Sequence, residues 1–552
     1  MTKTRKGLPS ARRIALYLSL LTLLMTAYRY GSAQSGVSGT TATVSWTTRN
    51  TVVQYPLPHR SSEPWSITVS GNGTVWFAEA GGNRIGRMDP VSHQIREFRI
   101  PTPDSMPISL STDGSGNVWF VELNGNKLGY IPAAGVGIKE ISLPTVRVNL
   151  ANISQNVPCG PASVEVSPEG NIWVACLFSN ELVEFSPSIS SFMEFPLPLF
   201  QSGPVGMAFD GNGNLWFTAA DVDMIGRAVL SQLRNGTSSG ITEFAPINQT
   251  YVFAIPHPTG FLASEREVIR SSLPTPSGIA IGKDGRTLWI TEHVDSSFDS
   301  YNTETGSLDR YWTSRTNGAF GYSVSFPNGI AVDGNGNVWV AEHYGNRIAE
   351  FDPQTGQLTE TAIPCCNSTI AGAYSLAVGK DGSVWFVEIN GNAIGEVRQE
   401  PLNGELSLTV PAGPVSMGRF DSKVVQMSAS GYGEGTGRQL WLELSGIGPD
   451  GILQNATASF SPSSIFAQGG NNSQITLLIQ TSGLKAGIYY LTLSATDRSG
   501  NTYGTVIKLS VSGAVPYSTF LQASVLLSAG AVTVVALIHY FTKGRRGRLI
   551  KR

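Results

Sequence analysis

Charge is scarce in this chain. Only 14% of its 552 residues are Asp, Glu, Lys or Arg, and the formal net charge is −2. No basic stripe is available to neutralise phosphates, so composition excludes a nucleic-acid partner. Cysteine is scarcer still. Cys159, Cys176, Cys365 and Cys366 are the whole supply, and no Cys-x-x-Cys spacing occurs to suggest a zinc site. No P-loop, Gly-x-Ser-x-Gly or His-Glu-x-x-His is present, so the common nucleotide, serine-hydrolase and zinc-protease signatures are missing.

What the chain has instead is a sentence written seven times. It reads Pro-x-Gly, an apolar run, Asp-Gly-x-Gly-Asn, then apolar-Trp-apolar-x-Glu, a Gly/Asn turn, Ile-Gly and a strand ending in Pro. The clearest copy spans Pro327 to Pro364, with Asp333-Gly334, Asn337-Val338-Trp339-Val340-Ala341-Glu342 and Phe351-Asp352-Pro353. Its tryptophans are Trp76, Trp119, Trp173, Trp216, Trp289, Trp339 and Trp385, separated by 43, 54, 43, 73, 50 and 46 residues. A period just above 40 with four short strands per unit is the pattern of a β-propeller blade. The seventh copy, from Tyr374, lacks a fourth strand, whereas Val52–Pro58 reads like one. Residues 51–58 are therefore expected to complete blade seven. The Asp210-Gly-Asn and Asp333-Gly-Asn segments superficially resemble calcium loops but lack the later Gly and the bidentate Glu, so they read as hairpin turns.

The expected fold class is all-β: a seven-bladed propeller at 51–400, an Ig-like β-sandwich at 404–513 and a single C-terminal transmembrane helix at 518–541. The sandwich rests on alternating apolar runs such as Leu440–Leu444 and Ile488–Leu493. The helix rests on the uncharged stretch between Lys508 and Lys543, long enough for a ~30 Å hydrocarbon core. Residues 542–552 form a basic tail, which the positive-inside rule puts in the cytoplasm. Residues 1–33, basic then apolar then small, read as a signal peptide, and 34–50 as a linker. The bulk of the chain is then extracytoplasmic on a single-pass membrane protein. Seven N-x-S/T sequons, from Asn72 to Asn471, fall in that part. In an oxidising compartment a Cys159–Cys176 disulfide is favoured, because both fall near the same end of adjacent strands. Cys365-Cys366 is then a vicinal pair or two thiols. A segment at about 245–272 interrupts the repeats between blades four and five.

The repeat Pro-x-Gly-Ile … Asp-Gly-x-apolar-Trp-Phe-x-Glu-x-x-x-Asn-x-Ile-Gly resembles the virginiamycin B (streptogramin B) lyase family over about 51–400. The resemblance implies seven blades and a magnesium-assisted elimination that opens a cyclic depsipeptide. It places a His directly after the Pro of a blade's first strand, and a carboxylate near Trp-Phe-x-Glu. Here the residues after that Pro are Trp65, Ile108, Ala162, Val205, Ser277 and Asn328, with Tyr374 the counterpart in blade seven; none is His. Glu recurs after the Trp motif as Glu79, Glu122, Glu292, Glu342 and Glu388, where binding of backbone amides at the blade ends is the plainer role. In two blades His follows it: Glu292-His293 and Glu342-His343.

The candidate ligand-binding residues are therefore Trp65, Tyr374, Glu79 and Glu388. Glu292, His293, Glu342 and His343 are candidate ligands for a divalent ion such as magnesium, and His293 and His343 are the candidates for any catalytic role. Three readings follow: a membrane-anchored propeller binding a small molecule, glycan or protein at one face; a streptogramin lyase-type or other metal-dependent lyase or hydrolase; and a structural cell-envelope protein.

Overall fold

The computed structural model describes residues 41–512, apart from internal segments of which the longest are 245–274, 314–324 and 365–370. The expected signal peptide, transmembrane helix and basic tail, Cys365-Cys366 and the blade four–five insertion lie outside the described residues. Among the described residues no helix is long and apolar enough to cross a membrane.

The chain is all-β. Seven four-stranded antiparallel blades follow one another; the first six run in the order of their strands along the chain, and the sixth and seventh continue into larger sheets. Their first strands are Pro64–Val69, Pro107–Thr112, Pro161–Val166, Pro204–Phe209, Pro276–Ile281, Pro327–Val332 and Ala373–Val378. Each first strand lies beside the next, and Ala373–Val378 lies beside Pro64–Val69, so the sheets form a closed ring of blades. In the seventh sheet Ala373–Val378, Val384–Glu388 and Ala393–Pro411 come from the end of the repeat region. The fourth strand is Thr41–Pro56, which pairs with Ala393–Pro401 from Thr48 to Pro56. The N-terminal strand thus completes the last blade and closes the ring.

The repeated letters have separate physical reasons. In blade one Phe77 stands opposite Gly86 on the third strand, and a Cβ on that glycine would enter the phenyl ring. The same is true of Phe120 over Gly129, Phe217 over Gly226 and Phe386 over Gly395. Where the second strand carries Val, as at Val174 and Val340, the facing residue is Val183 or Ala349. The Trp-Phe and Ile-Gly signatures are thus one size-matched pair. The tryptophans are buried between blades, and several are tied to the turn before them. Trp119, Trp216 and Trp339 donate Nε1–H to Asp113, Asp210 and Asp333 at 3.0, 2.8 and 3.1 Å. The other oxygen of each Asp accepts backbone N–H groups of its own turn. The Asp-Gly-x-Gly-Asn segments are hydrogen-bonded hairpin turns.

We call the blade end at which the second strands finish the near face, and the end carrying the Asp-Gly turns the far face. Neighbouring blades are stapled at the near face by an Asn in the left-handed region. Asn83, Asn126, Asn180, Asn346 and Asn392 have φ between 50 and 58°. The side-chain oxygen of each accepts the N–H of Ser105, Gly160, Ser202, Ala371 and Ser62 in the next blade, at 2.7–3.1 Å. Cys159 and Cys176 of blade three are joined by a disulfide with Cα atoms 4.6 Å apart.

The C-terminal strands, from the second half of Ala393–Pro411 to Thr502–Ser512, enclose their own apolar core around Val44, Trp46, Leu442, Tyr489, Leu491 and Tyr503. This region is continuous with the propeller through two sheets. Thr502–Thr505 pairs with Gln357–Glu360 of blade six, and Thr41–Trp46 pairs with Leu406–Pro411. Both connecting strands leave the blades at the far face. Side chains add a third contact: Tyr490 donates to Asp309 of blade five, and Lys508 lies 3.7 Å from the same carboxylate.

Candidate functional site

The near face of blades five to seven and one carries a continuous run of aromatic rings. Trp65 and Tyr374 have centroids 4.9 Å apart, and Tyr374 meets His343 edge-on at 5.3 Å. His343 lies 4.7 Å from Tyr344, Tyr344 lies 4.9 Å from Phe326, and Phe326 lies 5.4 Å from His293. The two imidazoles stack within 27° of parallel at 6.5 Å. The ring positions recur from blade to blade. Trp65 and Tyr374 begin first strands, His293 and His343 follow second strands, and Phe326 precedes a first-strand proline.

The residue before the first strand's opening position is in the left-handed region in every blade: Glu63, Met106, Gly160, Gly203, Thr275, Phe326 and Gly372. Glycine takes this conformation readily, whereas Thr275 and Phe326 are strained in it. Phe326, at φ 48°, holds its ring against His293 and Tyr344.

Burial governs the chemistry of the pair. His343 is pushed down to about 4, by desolvation first and by the neighbouring His293 second. Desolvation also lowers His293, against a hydrogen bond between its Nδ1 and the Pro327 carbonyl at 3.2 Å. Both rings are therefore neutral at neutral pH. His343 Nδ1 is buried with no hydrogen-bond partner. Buried polar atoms are nearly always paired, so this one marks a place where a bound molecule or a ring movement completes the site.

The recurrent glutamates behave differently. Glu79, Glu122, Glu342 and Glu388 are fully buried beneath the near face rather than on it. Over each lies a glycine of the following turn; a Cβ on Gly82 or Gly125 would come within 3.0 or 2.8 Å of the carboxylate, and Gly345 and Gly391 leave still less room. Burial raises Glu79, Glu122 and Glu388 to about 7 and Glu342 well above the ordinary carboxylate range. Glu388 accepts Gln54 Nε2–H at 2.7 Å, across the ring closure. The carboxylate of Glu292 lies 3.3 Å from Arg310, which also grips Asp299 at 2.6 Å.

The structure thus brings together Trp65, Tyr374, His293 and His343 and keeps Glu79 and Glu388 below them. Glu292 and Glu342 stand beside the imidazoles in sequence, but one faces Arg310 and the other lies under Gly345. Among the described residues no group of three or more His, Cys, Asp or Glu could hold a metal ion. Magnesium prefers several oxygen ligands. Of the four candidate ligands only the two imidazoles reach the near face, so that donor set does not fit the ion. Sequence reasoning missed Phe326 and Tyr344; the signals were an aromatic before Pro327 and another directly after Glu342-His343.

With this geometry in hand, comparison with known proteins is informative. Residues 39–157 match the virginiamycin B lyase family, and residues 208–374 match the SMP-30/gluconolactonase/LRE-like region. A streptogramin B lyase structure is 25% identical, covers 64% of this chain and 99% of its own, and superposes with a TM-score of 0.51. The propeller is virginiamycin B lyase-like. A virginiamycin B lyase from Staphylococcus aureus is 24% identical over 63% of this chain and 99% of its own, with a TM-score of 0.49. No curated protein sequence matches the chain. The lyase-like blades carry Trp65 and Tyr374 at first-strand positions where the family resemblance would place a histidine, and keep their two imidazoles one strand further out.

Proposed function

We propose that this is a membrane-anchored, extracytoplasmic binding protein whose near face recognises a ligand presenting a flat ring. The observation that carries the reading is the unbroken run from Trp65 to His293, with half-buried rings and an unpaired His343 Nδ1 at its centre. Aromatic faces take planar or sugar rings by stacking and CH contacts, and a neutral imidazole supplies one directional hydrogen bond. The disulfide in blade three supports an oxidising compartment. The strands leading to and from the C-terminal region leave at the far face, which supports a near face turned away from an anchor at the chain's end.

The test is a thermal-shift screen of the full-length protein in detergent against glycans and ring-containing metabolites, followed by titration of hits. Trp65→Ala and Tyr374→Ala are each expected to weaken binding about tenfold or more, as loss of ~1.4 kcal/mol of stacking implies. Hits that bind both variants like wild type would overturn the reading.

A lyase or lactonase-type enzyme is the second reading, favoured by the comparisons and by two imidazoles that are unprotonated at neutral pH. In it His343 is the group able to take a proton from a bound ester or lactone. Incubation with a streptogramin B antibiotic tests the enzyme reading for one substrate. Elimination gives a linear product of unchanged mass, abolished in His343→Ala; unaltered antibiotic rejects this substrate.

A further inference from the structure

The seven sequons are not used by any role assigned to the near face, and five of them begin at residues outside the described ones. The remaining two, Asn72-Gly73-Thr74 and Asn235-Gly236-Thr237, have the same three residues and the same setting. Both sit in far-face connections. The first lies between strands Pro64–Val69 and Val75–Glu79, the second between Met224–Ala228 and Ile241–Phe244. Both asparagines are exposed, and in both the following glycine is left-handed, at φ 85 and 73°. The side-chain oxygen of Asn72 accepts from Ser70 Oγ at 2.7 Å and the Thr74 N–H at 3.2 Å. That of Asn235 accepts the Glu194 N–H at 3.2 Å. Each asparagine thus uses its side-chain oxygen on the protein while the residue itself stays exposed.

We propose that Asn72 and Asn235 are N-glycosylated, and that the propeller therefore carries its glycans on the far face and leaves the aromatic near face bare. The inference rests on the extracytoplasmic reading, since the donor is an oligosaccharide on a lipid pyrophosphate handled outside the cytoplasm. In the step Nδ2 forms a bond to C1 of the sugar. The C1–O bond to the pyrophosphate breaks, its electron pair leaves with the lipid pyrophosphate, and the amide loses one proton to a base of the transferase. The two sites differ in one respect. Arg234 to Thr237 are all exposed, whereas Thr74 is 7% exposed. Asn235 is accessible on the folded propeller, and Asn72 only before blade one closes.

The experiment is glycopeptide mass spectrometry of full-length protein isolated from the membranes of its own cells, with the Cys159–Cys176 linkage read on the same digest. Glycan on both peptides is expected, with higher occupancy at Asn235. N235Q and N72Q should each remove one mobility step, and Thr237→Val, which keeps the amide but deletes the hydroxyl, should match N235Q. Unmodified asparagines in protein whose disulfide is formed would overturn the glycosylation and leave the compartment standing. Unmodified asparagines with Cys159 and Cys176 reduced would overturn both.

Discussion

Blades five and six solve the same electrostatic problem with the charges exchanged. In blade six the second strand ends in Glu342, the third begins with Arg347, and the fourth carries Glu360, 3.3 Å from that arginine. Blades one and two repeat the arrangement, with Arg84 3.5 Å from Glu97 beside Glu79, and Lys127 3.1 Å from Glu140 beside Glu122. In blade five the cation has moved to the fourth strand as Arg310, and the acid to the third as Asp299; Glu292 keeps its place. Each of these four blades ends up with two acids around one base, all largely buried. The composition of the cluster matters more than which strand supplies which charge, and the His after Glu292 and Glu342 rides on the same framework in both.

The largest expected effect comes from breaking blade five. Arg310→Met leaves Asp299 and Glu292 buried without their cation and should cost about 3–5 kcal/mol in urea unfolding. Arg347→Met should cost less, about 1–2 kcal/mol, because burial and then Glu360 push the Glu342 carboxyl well above its ordinary range, which leaves less charge for the arginine to offset. Equal losses would show that the two clusters are not alternatives but separate devices. Blade three places Cys176, and blade four Ala219, where the other five have Glu. Replacement of Cys176 together with Cys159 by alanine opens a crosslink across 17 residues and should cost about 2–4 kcal/mol. Next comes Gly345→Ala, which pushes a methyl into the Glu342 carboxylate and should cost about 1–3 kcal/mol.

The smallest effect is a slope. Glu79, Glu122 and Glu388 hold their protons up to about pH 7 when folded, against 4.5 otherwise. The folded state therefore binds more protons than the unfolded one between those values. Their contribution is complete below pH 4.5 and is lost as pH rises to 7. The turn aspartates Asp210, Asp284 and Asp381 are shifted down and act in the opposite sense, losing their contribution in acid. Melting temperatures from pH 5 to 7.5 should fall, and fall less steeply in Glu79→Gln.

The blade repeat was legible because its cause is local: a turn Asp, a large apolar filler and a glycine under a phenyl ring all lie within one short stretch. The charge clusters were not read, although their spacing is regular. Arg84, Lys127 and Arg347 stand five residues after the Glu, and Glu97, Glu140 and Glu360 eighteen after it. Those offsets become meaningful only once strand register is known, since the three side chains meet across three strands. The aromatic run was half visible. Trp65, Tyr374, His293 and His343 came from counting positions in the repeat, while Phe326 and Tyr344 belong to no repeat letter. The joining of the C-terminal strands to blade six has no sequence signature, because backbone pairing between Thr505 and Gln357 uses groups that every residue owns.

The strand Thr41–Pro56 carries a consequence for biogenesis. Its partners are residues 393–411, so the earliest described segment to be synthesised must wait for chain made more than three hundred residues later. Contacts so distant in sequence form slowly. Until they do, blade seven lacks its outer strand and the C-terminal region lacks one of its own. Ring closure and completion of the second core are therefore a single late event.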